Sequence, residues 1–61
     1  MTFDDAPSVL TIPEAARLLR IGRNQAYEAA KRGEIPAFRV GRSLRVPKEA
    51  LLQQLRQEVT R

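Results

Sequence analysis

Cysteine, histidine and tryptophan are all missing from this chain, and it holds one tyrosine and two phenylalanines among 61 residues. Without cysteine there is no disulfide, and without cysteine or histidine the usual zinc sets cannot be assembled. The catalytic pairs that need a histidine base are excluded as well, so Ser8 and Ser43 have no partner for nucleophilic work. Asp4 and Asp5 are neighbours near the N-terminus and hold no fixed acid–base geometry. Neither common glycine-rich phosphate loop is present. No apolar run reaches 18 residues, so no membrane-spanning helix is expected. The opening residues MTFDDAPSV are acidic and lack the basic-then-apolar order of a secretory signal. These absences lead to an expectation of a cytosolic, non-enzymatic protein, complete or nearly so, with no cofactor, no metal and no membrane partner. At 61 residues it is one domain, near the lower limit for folding alone.

Positive charge is what the chain does have, and it is concentrated. From Arg17 to Lys48, nine basic residues stand against Glu28 and Glu34, a net +7. Residues 1–16 carry a net −3 from Asp4, Asp5 and Glu14, and residues 49–61 are balanced. Nine of the eleven basic residues are arginine, whose planar fork suits bidentate contact with phosphate and with guanine edges. A basic middle block of this kind points to a nucleic acid.

The order of local signals divides the chain into a flexible leader (1–9) and a single folded unit (10–59). Thr11 followed by Glu14 is a capping box, with Pro13 in the first turn where its missing N–H costs nothing. The first helix then runs to about Leu19, with Ile12, Ala15, Ala16, Leu18 and Leu19 as apolar positions. Arg20-Ile21-Gly22 is a turn, with Gly22 as the cap of a second helix from Arg23 to about Arg32. In that helix Ala26, Ala29 and Ala30 make a narrow inner stripe, while Asn24, Tyr27, Glu28 and Lys31 share the opposite face. Gly33 ends it. A third helix follows Pro47, with Leu51, Leu52, Leu55 and Val59 as its apolar stripe.

Between the second and third helices lies FRVGRSLRVP, Phe38 to Pro47, which reads as a two-stranded antiparallel ribbon. A three-residue loop Gly41-Arg42-Ser43 pairs Val40 with Leu44, Arg39 with Arg45 and Phe38 with Val46. That register puts all four apolar side chains on one face and the arginines on the other. A two-residue loop, which glycine chemistry also allows, mixes the two classes. Burial of four apolar groups favours the first. The expected fold class is α+β, mostly helical: a winged helix-turn-helix.

In such a fold the second helix enters the DNA major groove with its N-terminal residues on base edges. Arg23, Asn24 and Gln25 occupy that end, with Tyr27 and Lys31 behind them as phosphate partners. Glu28 either accepts from a cytosine amine or pairs with Lys31 or Arg32, and a mid-helix charge favours the pairing. In the wing, Arg39, Arg42, Ser43 and Arg45 are the candidate contacts, with Arg42 at the tip aimed along the backbone or into a narrow minor groove. Thr11 serves as helix cap or phosphate contact. Tyr27 has nothing around it from which to build a DNA-cleaving site.

Four segments, in order, carry a family resemblance. Leu10-Thr11-Ile12-Pro13-Glu14-Ala15-Ala16-Arg17-Leu18-Leu19 resembles the LTxxEAAxLL opening of small excisionase-type DNA-binding domains of the MerR-like winged-helix superfamily. Ile21-Gly22-Arg23-Asn24-Gln25-Ala26-Tyr27 is similar to their (V/I)SRxTxY run. Lys31 to Arg42 is similar to xxGxIPAxRxGR, and Leu44 to Leu51 to xRIPxxxL. Gly22 stands where the family usually has a serine cap, and Gln25 and Ala26 where it has a small hydroxyl and a larger aliphatic residue, so base preference does not carry over. The resemblance implies an excisionase, or recombination directionality factor. Such a protein binds repeated attachment-site sequences in double-stranded DNA together with neighbouring copies of itself, bends that DNA, and biases an integrase toward excision. It would be cytoplasmic and associated with the nucleoid when bound. A small transcriptional regulator with the same contacts is the alternative. An adapter that docks a protein through the third helix is the alternative of another class.

Overall fold

The computed structural model describes residues 2–59, with only the backbone described for Val59. The elements run β1 (Val9–Thr11), α1 (Ile12–Leu19), α2 (Arg23–Lys31), β2 (Phe38–Val40), β3 (Ser43–Pro47) and α3 (Lys48–Val59). Three helices with a small antiparallel sheet make the winged helix-turn-helix expected from sequence.

Both ends of the helical pair are set by local chemistry. The Thr11 hydroxyl accepts from the Glu14 amide at 3.2 Å, and the Glu14 carboxylate accepts from the Thr11 amide at 2.9 Å, so the capping box is complete. Thr11→Ala leaves the Glu14 amide without that acceptor and is expected to cost about 1 kcal/mol, read as a lower midpoint in urea with unchanged m. At the other end α1 stops on Arg20 in the left-handed region, φ 61° and ψ 44°. Its amide turns back to the Ala16 and Arg17 carbonyls. An L side chain held there costs roughly 1–2 kcal/mol. Helix α2 starts after Gly22 with no side-chain cap. It ends in a Schellman arrangement: the Glu34 amide donates to the Ala29 carbonyl at 2.8 Å and the Gly33 amide to Ala30 at 3.2 Å. Gly33, at φ 80°, is the residue that makes this reversal easy.

The sheet has the order β1-β3-β2, and here two expectations are corrected. The wing uses the two-residue connection: Phe38 pairs with Arg45, Arg39 with Leu44 and Val40 with Ser43. Directly paired residues share a face. The face toward the helices therefore holds Leu44, Val46 and Arg39, while Phe38 and Val40 lie outside with Arg45, at 43% and 53% exposure. The physical reason is the third strand. β1 pairs Leu10 with Val46, and both are fully buried, so the apolar cover expected from Phe38 and Val40 comes from β1 instead. Freed from that demand, the turn follows its own preference. Gly41 takes φ 61° with no positive φ at Arg42, the pattern of the twist-matched hairpin turn with glycine first.

The core is small and rich in alanine. Ala15 and Ala16 of α1 and Ala26 and Ala29 of α2 are buried, which lets the two helices approach closely, and Leu10, Ile12, Ile35, Val46 and Leu51 fill the centre. Residues 2–9, expected as a flexible leader, are engaged with this unit. Ala6 is buried and Phe3 packs on the core. The Lys48 ammonium donates to the Phe3 and Ala6 carbonyls at 3.1 and 2.9 Å, and the Lys48 amide donates to Ser8 at 2.9 Å. Lys48, counted in the basic block, is thus occupied in holding the leader. In α3, Leu51 is buried and Leu55 packs on the core, so half of the stripe offered to a docking partner already serves the fold. The Val59 side chain lies outside the described residues.

Candidate functional site

An open cleft of about 610 Å³ separates α2 from the wing. Its walls include Tyr27 and Lys31 from α2, Arg39, Arg42, Ser43, Leu44 and Arg45 from the hairpin, and Thr11, Ile12 and Pro13 from the start of α1. Four cationic side chains line it, and no carboxylate among the described residues does. Lys31 sits 3.9 Å from Glu28, both side chains more than half exposed, a pair too loose and too solvated to contribute more than a few tenths of a kcal/mol. Arg32 turns to Glu34 instead, at 3.2 Å. The guanidinium groups of Arg39 and Arg42 have no hydrogen-bond or ion-pair partner among the described residues. Arg45 donates to the Leu44 carbonyl at 3.0 Å and is half-buried, which makes it the least available of the three wing arginines.

The two sides of the cleft are brought together by distant parts of the chain. Arg39 reaches it because the two-residue turn places it on the helix-facing side of the wing. Arg42 stands at the tip, after the tight turn at Gly41. Tyr27 and Lys31 are one turn apart on α2. Continuing that stripe by one turn toward the N-terminus gives Arg23, with Asn24 beside it, both exposed. Gln25 is also exposed but lies about 160° around the axis from Tyr27, on the flank away from the cleft. Of the residues singled out from sequence, Thr11, Tyr27, Lys31, Arg39, Arg42, Ser43 and Arg45 converge on one cleft. Arg23 and Asn24 extend its edge, and Gln25 stands apart. Thr11 spends its hydroxyl on the cap while its neighbours Ile12 and Pro13 form the floor. Pro13 and Leu44 were not expected to line anything, and only the folded arrangement reveals them.

A family model described as a helix-turn-helix domain matches residues 9–59, most of the chain. The chain belongs to the helix-turn-helix domain family. The matched span of this helix-turn-helix domain begins at Val9 and so includes β1, the strand that closes the core. Among curated relatives, the uncharacterized protein YvgK of Bacillus subtilis is 46% identical over 75% of this chain and 15% of its own length. Rv0500A of Mycobacterium tuberculosis, named as a candidate DNA-binding protein, is 44% identical over 70% of this chain and 55% of its own. A "Probable excisionase" of Saccharopolyspora erythraea is 42% identical over 70% of this chain and 44% of its own. The helix-turn-helix domain thus spans about half or less of the curated relatives it matches. No solved structure matches it. Among the described residues no helix is long and apolar enough to cross a membrane.

Proposed function

We propose that this helix-turn-helix domain binds double-stranded DNA as an architectural protein of site-specific recombination, an excisionase that carries out no chemistry. The observation that carries the reading is the cleft, which Lys31, Arg39 and Arg42 line with Arg45 at its edge and no carboxylate among the described residues. A surface that gathers cations at mutual electrostatic cost is built for a polyanion. Tyr27, Lys31 and the wing then hold backbone phosphates, while Arg23 and Asn24 on the same stripe of α2 read base edges, Arg to guanine and Asn to adenine. Gln25 takes a lesser part. The relative named as an excisionase supports the finer assignment. A single module buries roughly 600–1,000 Å² of its surface on DNA, so neighbouring copies assist one another on repeated sites and an integrase is the partner served. Its place is the nucleoid.

Footprinting on the DNA that flanks the gene tests this directly. Expected are repeated protected sites in an attachment region. Protection confined to a promoter assigns the protein to transcriptional regulation instead. If about five phosphates are neutralised, log K falls with log salt at a slope of about −4 to −5. An affinity indifferent to salt would sink the reading.

A further inference from the structure

Arg20 is the only non-glycine residue with positive φ among the described residues. It stands at the corner between α1 and α2, where helices commonly end on glycine. Its exposed side chain makes no hydrogen bond or ion pair with any described residue, so nothing within the fold explains why arginine is kept in a strained position.

Two other arginines approach the same corner. On α1, Arg17 follows Pro13 by four residues and lies on the same face, and Pro13 is in the floor of the cleft. On α2, Arg23 precedes Tyr27 by four residues on the stripe that lines the cleft. Both stripes leave the cleft and run to the corner, so the basic surface continues past the cleft to Arg17 and Arg20. Arg17, Arg20 and Arg23 are all exposed. The acidic residue of α1, Glu14, makes no ion pair with them; it sits in the first turn of the helix, where its carboxylate accepts from the Thr11 amide. Eight residues separate Arg23 from Lys31, a rise of about 12 Å along the helix. That is about the width of the major groove.

We propose that Arg17 and Arg20 form a second backbone-phosphate site, gripping the DNA strand across the major groove from the one held by the cleft. The inference rests on the DNA-binding reading above and adds a second point of attachment to it. Helix α2 then lies in the groove with a cationic anchor at each end, the wing cleft at one and the helix–helix corner at the other. Anchors at both ends of α2 set the angle of the recognition helix, which a single cleft leaves free to pivot.

The strain at Arg20 makes the test unusually clean. Arg20→Gly removes the charge and the left-handed penalty together, so it should raise the melting temperature by about 3–6 °C while weakening DNA binding. The assay is fluorescence anisotropy of the full chain on a labelled 30-base-pair duplex of mixed sequence, in 50–200 mM KCl. Arg20→Gly is expected to lower affinity about tenfold at the low-salt end and to flatten the log–log salt slope by about 0.9. Arg17→Gln, which has no strain to relieve, should flatten it by the same amount. Wild-type affinity and slope in both variants, beside a weakened Arg42→Ala, would remove the corner from the interface and leave the DNA reading intact. Loss of affinity with an unchanged slope would also overturn the site, because a lost phosphate contact must release fewer counterions. If the wild-type chain itself shows no salt-dependent binding to the duplex, the DNA reading fails first and this one with it.

Discussion

Replacing Arg39 and Arg42 together by Ala should cut affinity for any duplex by roughly two orders of magnitude and flatten the salt slope by about 1.8. Both side chains line the cleft and neither has an intramolecular partner among the described residues, so the loss should come from DNA contacts and leave folding alone. Thermal stability should stay within about 0.5 kcal/mol of the wild type. The pattern across sequences matters more than the size. Backbone contacts carry no base information, so specific and non-specific duplexes should weaken in parallel. Asn24→Ala serves as the contrast, because a lost base contact narrows the gap between them. Anisotropy titrations on matched and scrambled duplexes separate the two outcomes. A double variant that loses discrimination but keeps its salt slope would show that the wing reads bases, and the division of labour along α2 and the wing would have to be reversed.

Leu10→Ala should come close to unfolding the protein. Leu10 is fully buried opposite Val46, and deleting three carbons there costs about 3 kcal/mol. A chain of this length holds only about 3–9 kcal/mol in total. The melting temperature should fall by roughly 12–24 °C. Val9→Ala, one residue away on the exposed side of the same strand, should change stability by less than about 0.5 kcal/mol. Circular dichroism melts of the two variants test whether β1 closes the core. Equal, small shifts would mean that the strand is an ornament on a core complete without it.

Much of the scaffold was legible because its signals are local. The box formed by Thr11 and Glu14, the turn before Gly22 and the stop at Gly33 are decided by hydrogen bonds that reach no further than five residues. The wing failed for a matching reason. The strands are legible in the sequence, but burial within the hairpin alone points to the wrong register, because it counts Phe38 and Val40 as the only cover available. Leu10 takes that place from 36 residues away from Val46, and no pattern inside FRVGRSLRVP contains it. Lys48 misled in the same way: its charge is visible in the sequence, but its attachment to the Phe3 and Ala6 carbonyls is not.

The amino-acid order alone settled where the helices begin and end and that positive charge gathers in the middle half of the chain, since caps, helical period and net charge are properties of neighbours along the chain. Which cations face one another was decided only by the tertiary structure. Arg39 turns toward Lys31, and Phe38 turns away, because β1 fills the inner face and lets the Gly41 turn choose the pairing. A strand's alternation names two faces but cannot say which is inward. That choice belongs to whatever packs against it, and here the packing comes from the opposite end of the fold.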